Sequence, residues 1–393
     1  MDLPTLLIES AHQEGFLLAG VVDIDLAFSD SKHSIQKHID QFDTWLKTGF
    51  SGSMDYLIRG RNPRANPRLL LPDAQSVFCV AMAYPKTPAG AAQLSEGPRY
   101  ARYLHGRDYH KEIYEKLEKV MLSVKSKWNS TINPSQLHWK ICVDTSAVLE
   151  RSWAALAGLG WIGKNTLLIH PRHGSYLFLA EVLLNQATGK APAPLPNLCG
   201  HCQRCLDTCP TQAFPKPHLL NSERCISYWT LEKRGHLNLS ASDQSKTGAW
   251  IAGCDQCQEV CPFNIKPSRQ ELNDSASADS LKNKPSATHL HLWEDLLSES
   301  PEEYKKRVKF SAMNRIKPAQ FSRNLAITLS NYLQSDLASP ENIDSLKNYI
   351  LKRISEESDP ITLQEWTRCL HFMSMSTTKV SFNHFSKLDP DHV

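Results

Sequence analysis

Cysteines spaced for metal binding are the chemical groups that stand out in the sequence. Eight of the eleven cysteines lie between positions 199 and 261, in the runs CGHCQRCLDTCP, NSERCISYW and CDQCQEVCP. The remaining three, Cys79, Cys142 and Cys369, are scattered, and we predict that they are core residues because free cysteine is readily buried. A disulfide framework is the alternative for the eight. A chain with no secretory signal is expected in a reducing compartment, where thiols serve metals.

The spacing of the eight cysteines favours iron-sulfur clusters over zinc. The run C-x2-C-x2-C-x3-C-P at residues 199–210 is the bacterial ferredoxin pattern, in which the fourth thiolate binds a second cluster. The run CDQCQEVCP repeats a close pair and a distant partner. Zinc sites built from C-x2-C pairs explain the set less well. By this crossing pattern one four-iron cluster takes Cys199, Cys202, Cys205 and Cys261, and the other takes Cys209, Cys225, Cys254 and Cys257.

The elements that must position these cysteines alternate along the first half of the chain. Apolar patterns predict helices at 5–14, 111–127 and 147–158, and strands at 17–22, 76–84, 137–144, 166–171 and 174–184. An Ala- and Pro-rich linker (186–198) and a polar stretch (265–289) flank the cysteines. The sequence predicts an α+β multidomain protein with an α/β domain at 1–190, a ferredoxin-like two-cluster domain at 191–265 and a third domain at 290–393.

One motif inside the α/β domain looks like a nucleotide site but is interpreted differently. Gly158, Gly160 and Gly163 in GLGWIG satisfy G-x-G-x-x-G, which binds dinucleotides when it follows a strand and opens a helix. Here a helical run precedes the glycines and the strand-like KNTLLIHP follows them. The pattern therefore predicts a tight turn from helix to strand.

Composition excludes several classes of protein. The formal net charge is only +3, so any nucleic-acid binding must come from a local patch. Hydrophobic residues make up 41% of the chain, and its apolar runs are shorter than the ~20 residues that span a bilayer. We expect a cytoplasmic protein without membrane association, and a monomer.

Three stretches carry a resemblance to a known family. VDTSAVLERSWAALAGLGWIGKNTLLI (143–169), RYLHGRDYH (102–110) and the double cluster motif with CISYWT resemble epoxyqueuosine reductases over nearly the whole chain. The resemblance implies reduction of epoxyqueuosine to queuosine at the tRNA wobble position, the last step of queuosine biosynthesis. It also implies a cobalamin-binding first domain and an α-helical (HEAT-like) repeat domain at the C-terminus. Ser146, where the family usually has Gly, and the Tyr-Leu ahead of His105 depart from the pattern.

The resemblance assigns roles to individual residues. Asp144 would donate a proton to the departing oxygen, with a pKa raised by burial beside the corrin; without the resemblance, the sequence favours an ordinary helix N-cap at this position. The implied cobalamin contacts are Arg64, Arg102, Asn165 and Leu168, with backbone groups near Ser175 and Leu179, although both arginines could be solvated surface charges. Residues 108–113 do not complete the D-x-H-x-x-G motif, so we expect no protein histidine on the cobalt.

The implied chemistry needs each of these parts. Converting an epoxide to an alkene consumes two electrons and two protons, and a reduced Co(I) corrin is a strong carbon nucleophile. The two clusters would pass electrons one at a time from an external low-potential donor. Three alternatives remain open: a two-cluster electron-transfer protein, a reductive-dehalogenase-like corrinoid reductase, and a structural tRNA-binding protein.

A basic stretch in the third domain is the predicted tRNA contact. Residues 304–323 carry seven basic side chains and no acidic one: Lys305, Lys306, Arg307, Lys309, Arg315, Lys317 and Arg323. Ser300, Pro301 and Glu303 form a capping box that predicts a helix start, and the pattern after the stretch predicts a packed helix around Phe321 and Leu325. Tyr228 and Trp229 could stack on a splayed-out base or belong to the core.

Overall fold

The computed structural model describes residues 1–84, 97–128, 137–265, 289–336, 338 and 340–385. These residues form two compact units, each made of three chain segments. The first unit contains residues 1–86, 106–225 and 255–275, and the second contains residues 87–105, 226–254 and 276–393. The cysteine-rich residues are thus divided between the units. The three consecutive domains expected from the sequence remain a prediction.

A four-stranded sheet is the centre of the first unit. Its order is β1-β2-β7-β4, and every pairing in it is antiparallel. The elements of this unit are α1 (Leu3–Gln13), β1 (Leu18–Asp23), α2 (Ile24–Ser29), α3 (Ile35–Lys47), α4 (Asp55–Arg59), α5 (Arg61–Ala65), β2 (Ser76–Ala83), α6 (Tyr109–Lys127), β4 (Trp139–Cys142), α7 (Glu150–Leu156), β5 (Trp161–Ile162), β6 (Leu168–Ile169), β7 (Leu177–Leu184), α8 (Arg204–Asp207), α11 (Gln256–Glu259) and α12 (Pro262–Ile265). The mixed α and β content is as predicted, with an antiparallel sheet.

Helices pack on both faces of this sheet, and successive side chains of a strand point to opposite faces. Phe78, Val80 and Val182 face α1 and α6, whereas Val77 and Leu183 face α2, α3 and α7. A strand buried on both faces reads as a continuous apolar run, and SVFCVAMA in β2 is such a run. The predicted inner face of α6 is confirmed, since Ile113, Leu117, Val120, Met121 and Val124 are all buried.

Capping residues move two helix starts away from their predicted positions. Helix α6 begins at Tyr109 rather than Lys111 because the Asp108 side chain accepts the backbone N–H of His110. Helix α1 begins at Leu3 rather than Thr5 because Asp2 caps it through the N–H of Thr5. Both caps are carboxylates, which the helix dipole favours at an N-terminus.

The glycine motif forms a turn from helix to strand, as the sequence predicts. Helix α7 ends at Leu156, Gly158 has φ +85°, and β5 follows at Trp161 and pairs with β6. At Gly160 an added Cβ would lie 2.4 Å from the Ile169 carbonyl oxygen, so the close approach of the two strands requires glycine there.

Helices dominate the second unit. Its elements are β3 (Arg99–Tyr100), α9 (Ile226–Leu231), α10 (Ala241–Ser245), β8 (Trp250–Ala252), α13 (His289–Ser298), α14 (Pro301–Val308), α15 (Pro318–Leu333), α16 (Pro340–Glu356) and α17 (Pro360–Phe385). Strands β3 and β8 pair in parallel, and α15 packs against α17 and β8. The capping box at Ser300 and the burial of Phe321 and Leu325 confirm those two predictions.

Within the described part of the chain, no helix is both long and apolar enough to cross a membrane.

Candidate functional site

A strained turn presents Asp144 two residues beyond strand β4. Its backbone has φ +49°, in the left-handed region that non-glycine residues rarely occupy. The N–H of Thr145 donates to the carbonyl of Val143 at 2.5 Å, which closes a three-residue turn around Asp144. Helix α7 starts only at Glu150, with Leu149 as its N-cap, so Asp144 does not cap it. The N-cap alternative is therefore wrong.

The Asp144 carboxyl belongs to a chain of three titratable groups. Its Oδ2 lies 2.9 Å from Nε2 of His110, and Nδ1 of His110 lies 2.6 Å from Oδ1 of Asp108. Burial of the imidazole lowers its pKa, but the hydrogen bonds and charges of Asp144 and Asp108 outweigh burial and raise the pKa of His110 overall. The Asp144 side chain is 42% exposed. Asp144 is thus paired with His110 and partly open to solvent, rather than buried by the protein.

Packing fixes the histidine in this position. The ring of Tyr109 stacks on His110 at 4.0 Å between centroids, and on Phe178 of β7 also at 4.0 Å. Phe178 packs in turn against Tyr84 at 4.6 Å. This aromatic column joins the start of α6 to the sheet. Stacking on Tyr109 restricts rotation of the His110 ring and keeps it beside Asp144.

Glu150 and Arg64 surround the same turn. The Oε1 of Glu150 accepts the backbone N–H of Asp144 at 2.8 Å. Burial, and then the charge of Asp144, raise the pKa of Glu150 to about 7. Burial lowers the pKa of Arg64, an effect that Tyr56, Glu150 and Asp144 oppose. The predicted cobalamin contact Arg64 is therefore half-buried and lies in the field of Asp144, rather than being a solvated surface charge.

The other predicted cobalamin contacts lie in different environments. Asn165 is buried, and its Nδ2 donates to the Cys257 carbonyl at 3.4 Å. Ser175 is buried in a network in which its Oγ pairs with Gln258 and its N–H donates to Asn264. Leu168 is buried in β6, Leu179 is partly buried in β7, and Arg102 belongs to the second unit. The structure thus brings Arg64 near Asp144, and the roles of the others remain predictions.

Four cysteines assigned to one cluster interact with one another. The pKa of Cys205 is raised to about 11 by burial and then by the charges of Cys199, Cys261 and Cys202. The pKa of Cys261 is likewise raised by burial and by Cys199 and Cys202. Thiolates this close repel one another unless a cation or cluster takes up their charge. The thiols of Cys199, Cys202, Cys205 and Cys261 therefore lie within electrostatic range of one another, although among the described residues no group of three or more His, Cys, Asp or Glu is close enough to hold a metal ion, and this ligand set remains a prediction.

Residues of the glycine turn line this cysteine group. The indole N–H of Trp161 donates to Sγ of Cys199 at 3.4 Å, and the Trp161 ring packs edge-on against Phe263. The ammonium group of Lys164 donates to the carbonyls of Gly200 and Cys202 at 2.7 and 2.8 Å. Hydrogen bonds to ligand sulfur and nearby positive charge favour the reduced state of an iron-sulfur cluster.

The second predicted ligand set consists of Cys209, Cys225, Cys254 and Cys257. Sγ of Cys209 accepts the N–H of Ala213 at 3.3 Å and lies 3.4 Å from the Thr211 hydroxyl. Helix α8 packs against α11, which contains Cys257. Cys225 is partly buried in the first unit, and Cys254 belongs to the second. This ligand set remains a prediction.

The basic stretch of the second unit is largely used for structure. Arg323 is 1% exposed and donates to the carbonyls of Trp229, Lys233 and Gly235. Arg307 forms a bidentate pair with Glu299, and Arg315 pairs with Glu232. The predicted tRNA contact is corrected for Arg323, which is buried, whereas Arg307 and Arg315 remain exposed and are paired with carboxylates. Four lysines of the stretch are exposed: Lys305, Lys306, Lys309 and Lys317.

Tyr228 and Trp229 are core residues of α9. They are 4% and 3% exposed, which leaves little ring surface for a base to stack on. Of the two roles considered for them, the structure favours the core.

Sequence reasoning missed His110 and Glu150 as site residues. His110 was considered only as part of an incomplete cobalt-ligand motif, and Glu150 lay unremarked at the start of α7. A signal existed for Glu150, since an acidic residue at the beginning of a short helix is placed to accept a backbone N–H from the preceding turn. For His110 the contact with Asp144 spans 34 residues and needs the folded sheet.

Two family profiles match the chain. A 4Fe-4S double cluster binding domain matches residues 198–264, and epoxyqueuosine reductase QueG, DUF1730, matches residues 64–145. An epoxyqueuosine reductase of Synechococcus sp. (strain RCC307) is 36% identical over 326 residues, which are 83% of this chain and 93% of that protein. The Pseudomonas aeruginosa epoxyqueuosine reductase is 35% identical over 322 residues, covering 81% of this chain and 82% of its own length.

Solved structures agree with the sequence comparison. A crystal structure of epoxyqueuosine reductase with an epoxyqueuosine-modified tRNA-Tyr stem loop covers 95% of this chain and 99% of its own, with a TM-score of 0.68 at 25% identity. The Streptococcus thermophilus epoxyqueuosine reductase has the same fold, with a TM-score of 0.74 at 22% identity, and covers 100% of this chain and 96% of its own. The breadth of these matches, which take in both the cysteine runs and the Asp144 turn, shows that the chain belongs to the epoxyqueuosine reductase family.

Proposed function

We propose that this chain reduces epoxyqueuosine to queuosine at the wobble position of tRNA, with cob(I)alamin and two 4Fe-4S clusters. The observation that carries the proposal is the Asp108–His110–Asp144 chain, which sets a histidine against an exposed carboxyl in a strained turn. The relatives at 35% and 36% identity are epoxyqueuosine reductases, and a crystallised member of the family binds a tRNA stem loop carrying epoxyqueuosine.

The chemistry of the proposed donor residues suits the proposed cofactors. Cys199, Cys202, Cys205 and Cys261 offer four interacting thiols to one cluster, and Cys209, Cys225, Cys254 and Cys257 would hold the other. Near Asp144, Gly60 abuts Ala147, and α4 beside it exposes Tyr56 and Ile58, an apolar surface that a corrin could cover. When bound, a reduced corrin supplies the nucleophilic two-electron chemistry that an epoxide requires.

The protein's own contribution is proton transfer. Loss of the epoxide oxygen as water takes up two electrons and two protons. Asp144 gives a proton to the oxygen as its C–O bond breaks, and His110 restores that proton through its Nε2 contact. Asp108 accepts the other N–H of His110, which fixes the ring orientation and stabilises the imidazolium form. The second proton comes from solvent through the exposed side of Asp144.

Each of the three predicted domains has one role in the proposed reaction. Residues 1–190 bind the corrin, residues 191–265 carry the clusters, and residues 290–393 form a helical-repeat domain that contacts the anticodon stem loop. The exposed lysines Lys305, Lys306, Lys309 and Lys317 neutralise phosphates there. An external low-potential protein donates the electrons, and the chain acts as a cytoplasmic monomer.

The test uses anaerobically purified, reconstituted protein. We expect about eight iron atoms per chain, which is the content of two four-iron clusters, a corrin band after cobalamin addition, and conversion of epoxyqueuosine in a tRNA stem loop to queuosine by mass spectrometry. Cys225→Ser should lose one cluster and spare the other, with Cys369→Ser as the control because Cys369 is a buried cysteine outside the cysteine runs of the sequence. Intact clusters without queuosine formation would contradict the proposal.

A further inference from the structure

Two carboxylic acids of the first unit have no part in the proposed proton transfer. Glu150, the first residue of α7, is partly buried, and Glu181, in the middle of β7, is fully buried. Neither carboxyl oxygen of Glu181 has a hydrogen-bond partner among the described residues. A buried acid without partners is costly, which calls for a physical explanation.

The sheet register explains where Glu181 points. Cys79 of β2 and Cys142 of β4 lie directly opposite Glu181 on its two neighbouring strands. Side chains opposite one another share a face, and this is the face covered by α7, since Cys79 and Cys142 pack in the same cluster as Trp153. Glu181 thus lies under α7, the helix that Glu150 begins.

The turn that Glu150 contacts needs an anchor. Asp144 has a left-handed backbone, a conformation that costs an ordinary residue about 1 kcal/mol or more. The hydrogen bond from the Asp144 N–H to Oε1 of Glu150 is a side-chain contact that opposes relaxation of that backbone. In a Bacillus subtilis epoxyqueuosine reductase structure, the loop carrying the catalytic aspartate is swung out of the active site. Such loops have more than one position.

We propose that Glu150 is a positioning residue, whose carboxylate holds the Asp144 backbone N–H so that the Asp144 carboxyl stays against His110, with the buried Glu181 lying beneath the same helix. This inference rests on the proposed function, in which Asp144 donates the proton. Glu150 itself touches no substrate. Its effect on the reaction passes entirely through the position of Asp144.

The charges around the pair indicate which acid changes its ionisation near neutral pH. Burial and the charge of Asp144 raise the pKa of Glu150 to about 7, and Arg151 and Arg64 oppose this rise. Burial and then the charge of Glu150 raise the pKa of Glu181 well above its usual value. The thiols of Cys79 and Cys142 lie on the same face as Glu181. Burial raises the pKa of both thiols, and the charges of Glu181 and Glu150 raise them further. Burial without a hydrogen-bond partner among the described residues raises the pKa of Glu181 too, so Glu150, which accepts the Asp144 N–H, is the acid assigned to the change near neutral pH.

Ionisation of Glu150 strengthens the anchor. A carboxylate accepts a backbone N–H more strongly than the neutral acid does. Above pH 7 the Asp144 turn is held more tightly, and below pH 7 it is released more often. The expected signature is an acidic limb in kcat near pH 7, with the KM for the stem loop unchanged.

The experiment compares three variants of the holoenzyme. Glu150→Ala removes the acceptor, and we expect kcat to fall about tenfold or more, as for loss of a hydrogen bond to a charged group, without a change in KM. Glu150→Gln keeps only a neutral acceptor oxygen, so we expect kcat at every pH to match the low plateau that the unsubstituted enzyme reaches below pH 7, and the limb near pH 7 to disappear. Glu181→Gln, the matched control, mimics the protonated acid and should keep the limb.

A second readout does not depend on turnover. Hydrogen exchange of residues 143–149, measured by mass spectrometry at pH 6 and pH 8, should show loss of protection at the Asp144 amide in Glu150→Ala at both pH values, and in Glu150→Gln the same protection at both pH values that the unsubstituted protein has at pH 6. Protection unchanged in Glu150→Ala, or a pH limb that persists in Glu150→Gln, would overturn the inference. If Asp144→Asn retained full activity while the exchange result held, the proposed function of Asp144 would fail and the anchoring role would stand.

Discussion

Charged residues serve opposite purposes in the Asp144 turn and in the basic stretch at 304–323. Around Asp144 the fold gathers acids and a histidine, leaves Asp144 partly exposed and shifts the pKa values of His110 and Glu150. In the basic stretch the fold separates the arginines and satisfies them with carbonyls and carboxylates. Sequence reasoning treated both regions as substrate contacts. The difference teaches that a charge marks a reactive site when its partners perturb it, and a structural site when its partners satisfy it.

The largest effect is expected from Asp144→Asn. The amide cannot donate an acidic proton, so we expect turnover to fall by about 10²–10⁴-fold. Asparagine tolerates the left-handed backbone at least as well as aspartate, so the thermal unfolding midpoint should not fall. Single-turnover kinetics and calorimetry on the same preparation would check both parts. Equal losses of activity and stability would mean that the turn is structural, like the arginine sites.

Arg323→Met should give the converse result. Its guanidinium is buried, keeps its charge at neutral pH although burial lowers its pKa to about 10, and satisfies three carbonyls of the segment 229–235. Removing it leaves those carbonyls buried without a donor, which costs about 3–5 kcal/mol of unfolding free energy. Denaturant unfolding would measure the loss. Arg59→Met, at an exposed position on α4, serves as the control.

Glu150→Gln should stabilise the protein at alkaline pH. The folded pKa of Glu150 is about 7, above the usual 4.5, so its contribution to stability is complete below pH 4.5 and is lost as pH rises through 7. The neutral amide escapes that loss, and we expect a gain of about 1–3 kcal/mol at pH 8 and none at pH 4.5. Unfolding at the two pH values checks this. If Glu150→Gln were less stable than the unsubstituted protein at pH 8, the charge of Glu150 would be satisfied by its partners, as the charges of the arginines are.

The smallest effect is expected from the exposed lysines. Replacing Lys305, Lys306, Lys309 and Lys317 by Gln removes four charges while leaving the paired arginines in place. We expect weaker stem-loop binding and a shallower dependence of log affinity on log salt, with the slope reduced by about 0.7–0.9 for each phosphate that is no longer neutralised. Replacing Lys111, Lys119, Lys125 and Lys127 on α6 is the control of equal charge. Unaltered affinity and slope would show that the RNA binds elsewhere.

Local patterns determined much of the fold. The cysteine spacing, the inner face of α6, the buried strands β2 and β7, the turn at GLGWIG and the capping box at Ser300 each depend on residues a few positions apart, where helix and strand periodicity set the geometry. A sequence read locally carries that information.

Tertiary structure alone decided which distant groups meet. His110 reaches Asp144 because α6 packs on the sheet beside the end of β4. Glu181 lies under α7 because the register pairs it with Cys79 and Cys142, and a shift of one residue would turn it to the other face. Arg323 is buried because α15 packs between helices and β8. Each outcome depends on burial and pairing between residues that are far apart in the sequence. Composition and local spacing do not indicate which distant residue will be the partner.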